Sequence, residues 1–277
     1  MTIFNQSKRL PLLVIALAIL AGACQKLTHP ALGAYPKDAN PPGGPLKFYA
    51  AMDGSDVDSI RANFGVDNHV SYVAGLSGKA LQFDGTQNGY VSYPSANDFG
   101  SATSFTISFW INITLAQKNN TNAVGVLAFA HSNNFWSNIC FYADHTTGGN
   151  SDSMDLKVHF ANGQADNWDF AGYTGAKRWP HMYDGNWHQV AFTYDASTQT
   201  GTLYRDGAQF DQKTNETIVF GSPSQLILGG FQEAAGIVSN YSSNSWMSGF
   251  PGMMDNVRLY GVALAAADVA ALYNNKQ

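Results

Sequence analysis

Paired carboxylates are the first chemistry to look for in a chain with 20 Asp and Glu residues. Retaining glycoside hydrolysis needs two carboxyls about 5 Å apart, one as nucleophile and one as acid/base. The chain has two glutamates, Glu216 and Glu233, and neither has a second carboxylate two residues away. Asp152 with Asp155, and Asp166 with Asp169, stand closer together, but a spacing of three does not put both side chains on one face of a strand. Both pairs fall in segments rich in Gly, Asn and Ser, where Asp commonly serves turns. No Gly-x-Ser-x-Gly elbow is present, so the serine-hydrolase motif is missing. No His/Cys cluster has zinc-ligand spacing. These residues read as non-catalytic.

Rings flanked by amides are the second chemistry. Aromatic faces stack on the apolar faces of sugars, and Asn, Asp and Tyr supply the hydrogen bonds that orient them. Three segments have this composition. Residues 131–138 carry Asn134, Phe135 and Trp136. Residues 162–179 carry Asp166, Asn167, Trp168, Tyr173 and Trp179, and residues 241–246 end in Trp246. The alternative is that these rings cap the edges of the fold and pack under loops.

The elements that would position them are strands. In Ser104–Asn112, Phe105, Ile107, Phe109 and Ile111 alternate with Thr106, Ser108, Trp110 and Asn112, the period of a half-buried strand. Val190, Phe192 and Tyr194 repeat the pattern in Trp187–Asp195, and Asp206-Gly207 makes a later turn. Shorter strands are expected at 47–51, 80–83, 90–93, 125–130, 139–143, 156–160, 202–205, 225–228 and 253–260. Many short strands separated by turns predict an all-β, two-sheet antiparallel sandwich. One short C-terminal helix is expected over 263–274, where Leu264, Val269 and Leu272 fall on one side.

The N-terminus reads as a secretory signal over 1–23: Lys8 and Arg9 precede the apolar run Leu12–Ala23, which is too short to span a bilayer. Its end, Leu20-Ala21-Gly22-Ala23-Cys24, resembles the lipobox of bacterial lipoproteins, which implies a lipidated Cys24. Residues 24–45 are rich in Pro and Gly and read as a flexible tether, leaving 46–277 as one domain. Cys140, within Ile139-Cys140-Phe141-Tyr142, reads as a buried small hydrophobe. Removing Lys8 and Arg9 from 15 basic residues leaves 13 against 20 acidic ones, a net charge of −7. No basic run remains, which argues against nucleic acid and anionic lipid as partners.

Three motifs occur in one order: Leu81-Gln82-Phe83-Asp84-Gly85, Gly185-Asn186-Trp187-His188-Gln189-Val190-Ala191-Phe192-Thr193-Tyr194, and Met254-Asp255-Asn256-Val257-Arg258-Leu259-Tyr260. Together they resemble the laminin-G-like branch of the concanavalin A-like lectin/glucanase superfamily, and the match extends over about 46–273. The resemblance implies a jelly-roll sandwich that binds a ligand, with Phe109, Trp187 and Tyr260 in its core. It implies Ala265 at the cap of the C-terminal helix, where relatives carry Ser. Hydrolases of this superfamily carry a Glu-x-Asp-x-Glu strand, which is absent here.

The resemblance also implies a structural Ca²⁺ at the sandwich rim, with Asp53 and Asp255 at the matching places. Oxygen donors of that kind suit a hard cation. A lone lectin-like domain on a lipid tether is similar to the glycan-binding lipoproteins of Bacteroidetes-type outer membranes. That implies a polysaccharide or oligosaccharide ligand and outer-membrane glycan uptake proteins as partners. An adhesin or scaffold that binds a protein is the alternative. Gln25-Lys26-Leu27-Thr28 lacks the acidic residues of a surface-export signal, so the cell surface and the periplasmic face both stand.

Overall fold

The computed structural model describes residues 44–132, 134–144, 151–162, 165–170, 178–237 and 245–276, with 161–162 and 165–170 described by backbone alone. All lie in the compact unit Pro42–Gln277. In chain order the strands are β1 (Leu46–Ala50), β2 (Val66–Asn68), β3 (Val70–Ala74), β4 (Lys79–Phe83), β5 (Tyr90–Tyr93), β6 (Phe105–Thr114), β7 (Ala123–His131) and β8 (Ile139–Asp144). They continue as β9 (Asp155–Asn162), β10 (Ala165–Phe170), β11 (Asp184–Asp195), β12 (Thr200–Arg205), β13 (Ala208–Lys213), β14 (Pro223–Leu228), β15 (Met247–Gly249) and β16 (Met253–Tyr260). A helix, α1 (Ala266–Asn274), follows.

The strands form two sheets. Sheet I runs β13-β12-β11-β6-β16-β4-β3, with β1 also paired to β16; sheet II runs β10-β9-β8-β7-β14-β5-β2, with β15 added to β7. Every pairing is antiparallel except β15 on β7. The expected sandwich is therefore the observed fold.

Alternation fills the space between the sheets. Phe105, Ile107, Phe109 and Ile111 from β6 meet Leu127, Phe129, Phe141, Val158 and Phe160 from sheet II in one apolar core. Phe109 and Phe141 touch edge to face at 5.2 Å. Burying a side chain of this size contributes about 2–3 kcal/mol. The outer face of sheet I is closed by α1, whose Val269 joins Ala191 and Tyr204. Tyr273 stacks on Trp110 at 5.5 Å.

Two expectations change. Trp187 is half-buried and outside the core: it sits one residue out of phase with the inward Val190 and Phe192, opposite Asn112 on the outer face. Residues 165–170 form an edge strand and not a loop. The segment has no Gly or Pro to break pairing, and an edge strand tolerates a polar sequence.

Candidate functional site: an aromatic face on sheet II

The outer face of sheet II carries a second apolar cluster. Gly125 and Ala128 on β7, with Cys140 on β8, are small where their neighbours are large, because register places Ala128 beside Cys140 and Gly125 beside Tyr142. Glycine is required at position 125: a Cβ there would lie 2.3 Å from the amide nitrogen of Phe231, whose backbone crosses the strand. Buried Phe231, Tyr142 and Ile227 pack in the same cluster as Ala128 and Cys140.

Half-buried rings from two loops pack against this cluster. Trp136 lies over His159 at 4.6 Å and over Tyr142 at 5.5 Å. Phe135 meets Trp136 edge to face at 4.9 Å. Trp246 stands 5.8 Å from Trp136 and 5.9 Å from Phe135. Phe135, Trp136 and Trp246 thus form one patch above Tyr142, His159 and Phe231. At its margin the fully buried Lys157 pairs with Asp144, Nζ to Oδ2, at 2.6 Å. A pair this deep needs both partners, since losing one strands a buried charge.

Buried amides hold the 131–138 loop. Gln232 Oε1 accepts from the His131 N–H at 2.8 Å, and its Nε2 donates to the Asn134 and Phe135 carbonyls. Asn134 is buried, and its Oδ1 accepts from the Trp136 N–H at 2.9 Å. Asn138 donates to the Ala130 carbonyl and accepts from the Gly221 N–H. Asn134 was expected to orient a sugar; its side chain instead caps the turn that presents Trp136.

The structure separates the other candidates. Trp179 is fully buried, stacks on Phe210 at 4.5 Å, and donates its indole N–H to the Leu156 carbonyl. No face of that ring is open to a ligand, so its assignment to a sugar site is corrected: the Met154–Trp179 bridge pulls it inside. Asp166, Asn167 and Trp168 stand on β10, beside the patch, with Asp169 opposite His159 and Asp166 opposite Ala161. A bulge between Asn167 and Asp169 supplies an extra residue, so a spacing of three there acts like a spacing of two. Backbone register therefore does not separate Asp166 and Asp169 in the way a regular spacing of three would. Tyr173 and Cys24 lie outside the described residues.

Sequence reasoning missed His159, Tyr142 and Gln232. Each sits in an ordinary strand or turn, and only register and the long-range loop crossing bring them under Trp136.

Two further polar groups bear on chemistry. His188 Nδ1 meets Asp206 at 2.9 Å and Nε2 meets Asp184 at 3.2 Å, so both ring nitrogens are occupied. Burial pulls its pKa down, but hydrogen bonds and charge from the two carboxylates outweigh that and hold it above the usual histidine value. Asp152 pairs with His181 at 2.6 Å, while Asp155 is buried at the start of β9.

At the rim, the turn between β3 and β4 wraps two carboxylates. Asp53 Oδ1 accepts from the Lys79 N–H at 2.8 Å, and Asp255 Oδ2 from the Leu76 N–H at 2.9 Å. A Cβ on Gly78 would come within 2.1 Å of Asp53 Oδ1, and one on Gly75 within 2.7 Å of Asp255 Oδ2. Asp255 is fully buried, and its Oδ1 has no hydrogen-bond partner. Burial, with the charge of Asp53 adding to it, pushes the Asp255 carboxyl up to about 6. An orphaned buried oxygen beside a second carboxylate fits a hard cation. Among the described residues no group of three or more His, Cys, Asp or Glu surrounds it, so carbonyls and water would complete the shell.

A family model described as Laminin_G_3, concanavalin A-like lectin/glucanases superfamily, matches residues 84–270. No curated protein sequence matches the chain significantly. Among solved structures, domain 4 of AbnA, a GH43 extracellular arabinanase from Geobacillus stearothermophilus, in complex with arabinotriose, is similar with a TM-score of 0.55 and 17% identity, covering 82% of this chain and 98% of that one. The binding domain of botulinum neurotoxin DC in complex with SialylT aligns with a TM-score of 0.59 and 12% identity, over 84% of this chain and 52% of that one. The binding domain of Paraclostridial Mosquitocidal Protein 1 gives 0.57 and 15%, over 83% and 52%. The chain thus spans about half the length of the toxin binding domains. At these identities the likeness concerns the fold.

Proposed function

Because the chain belongs to the concanavalin A-like lectin/glucanase superfamily, we propose that it is a non-catalytic carbohydrate-binding protein. It takes an oligosaccharide or polysaccharide on the outer face of sheet II. The observation that carries this reading is the patch of half-buried Phe135, Trp136 and Trp246 seated on Tyr142 and His159. Fixed rings offer stacking faces at little entropic cost, and the polar β10 flanks them with hydrogen-bonding residues. Similar structures with arabinotriose and SialylT support the reading. The occupied nitrogens of His188 speak against its use as a general base.

In this proposal Cys24 carries the lipid, residues 24–45 hold the domain off a bacterial outer membrane, and the bound glycan passes to uptake proteins. A Ca²⁺ on Asp53 and Asp255 stiffens the rim. A protein ligand is the second reading, favoured by the apolar character of Phe135 and Trp246 and by a similar toxin domain solved with rat synaptotagmin II. Affinity electrophoresis through gels containing a panel of polysaccharides separates the two. Retardation by one glycan supports the lectin; mobility unchanged in every gel removes the glycan and leaves the protein ligand.

A further inference from the structure

A cleft of about 520 Å³ opens where β3 begins and β4 ends, at the edge of sheet I. It lies at the other end of these strands from the turn that holds Asp53 and Asp255. Leu81 and Phe83 point into the core, so Gln82 between them faces outward, and register sets the exposed Ser71 of β3 beside it. His69 and Asp84 follow at the strand ends, where the Asp84 N–H donates to the His69 carbonyl at 3.1 Å. Pro251 forms an apolar wall.

The walls are held by bonds from the chain itself. Gln82 Nε2 donates to the Pro251 and Gly252 carbonyls at 3.0 Å each, and Gln117 Nε2 to the Pro251 carbonyl at 2.6 Å. Glycine is needed at position 85, because a Cβ there would fall 2.6 Å from that of Pro251. Asp84 is fixed as firmly: the Thr86 hydroxyl donates to Oδ1 at 2.6 Å and Gln87 Nε2 to Oδ2 at 2.9 Å. These bonds, that of Thr86 first, hold its carboxyl down at about 2. Three polar ends stay unused. Gln82 Oε1, the Ser71 hydroxyl and the His69 ring make no hydrogen bond among the described residues.

An apolar wall beside an amide oxygen, a hydroxyl, an imidazole and a carboxylate suits a ligand with C–H groups on one side and hydroxyls on the other. The volume is that of a small-molecule site. No Lys or Arg lines the cleft, and the ionised Asp84 repels a second carboxylate. We infer that this cleft is a second saccharide site, separate from the rings of sheet II and selective for neutral sugars over uronic acids. Its own groups make the contacts, so it binds whether or not those rings do.

NMR titration of the isotopically labelled full chain tests this, with glucose, galactose, mannose, xylose and arabinose as neutral probes and glucuronate and galacturonate as acidic ones. At least one neutral sugar should shift the amides of residues 69–71 and 82–86 in the unaltered protein, and equally in Trp136→Ala. Each uronate should bind at least about tenfold more weakly than the best neutral sugar. Ser71→Trp, which fills the cleft from an exposed strand position, should abolish the shifts. His69→Asn should weaken binding by about fivefold, the worth of one hydrogen bond. Asparagine suits the left-handed backbone there, φ 49°, so this variant keeps the test open even where Ser71→Trp fails to fold. No neutral sugar shifting these amides overturns the inference. So does binding that is lost in Trp136→Ala, undiminished in a folded Ser71→Trp or His69→Asn, or as tight for a uronate as for the neutral sugar.

Discussion

The side-chain oxygen of Gln232 accepts a hydrogen bond from the backbone of His131 at 2.8 Å, across 101 residues of chain. The same amide also donates to two carbonyls of the 131–138 loop. The loop that presents Trp136 is therefore fastened by one buried glutamine from a distant part of the chain.

Gln232→Ala should cost about 2–3 kcal/mol, from several lost hydrogen bonds and a backbone N–H left buried. It should also weaken glycan retention without removing any ring. Urea denaturation beside affinity electrophoresis checks both. A stable variant with unchanged stability would mean that the loop is held by its ring contacts instead.

Asp255 makes stability depend on pH and on Ca²⁺ in opposite senses. Its folded pKa, about 6, exceeds the ordinary 3.8, so the fold binds its proton more tightly than the unfolded chain does. Without metal, this group withdraws stability as pH rises from about 4 to 6, and the loss is complete above that. In EDTA at pH 7.5, Asp255→Asn should therefore stabilise the fold, by on the order of 2 kcal/mol. In Ca²⁺ the order should reverse, because the ion displaces the proton and binds more tightly as pH passes 6. Thermal melts of both proteins in EDTA and in Ca²⁺ decide this; an unaltered protein indifferent to Ca²⁺ sinks the rim site.

The C-terminal helix carries a correctable flaw. Ala265 is its N-cap, extended at ψ 156°, with no side-chain hydrogen bond to the first turn. Asp268 already stands three residues on, with its N–H to the Ala265 carbonyl at 2.9 Å. Ala265→Ser should add about 1 kcal/mol and raise Tm by about 2–4 °C. Scanning calorimetry is the check, and no gain would place the determinant of the helix start elsewhere.

The sandwich was legible because β6 and β11 alternate cleanly and because the ordered motifs span most of the domain. The helix was legible from its local pattern, and its cap at Ala265 from the family resemblance. The site was only partly so. Trp136 and Trp179 sit in equally polar surroundings in the sequence, yet one lies on the outer face and the other is buried against Phe210. The Met154–Trp179 bridge decides between them, and no local pattern encodes it. Likewise the β10 segment read as a loop because its surroundings are rich in Gly and Asn, and the bulge at Asn167/Asp169 shifts the spacing of its two carboxylates. Asp53 and Asp255, 202 positions apart in the chain, were paired by family resemblance alone.

The central claim is that sugar stacks on the rings of sheet II. Its most direct measurement is affinity electrophoresis of the unaltered protein, Trp136→Ala and Trp246→Ala in the glycan gel that retards the unaltered protein most, with melts to confirm folding. Each ring is half-buried, so its loss should cost the fold about 1–2 kcal/mol and leave it intact. The account predicts that both folded variants lose most of the retardation, about tenfold or more in Kd. Folded variants retarded as strongly as the unaltered protein would contradict it.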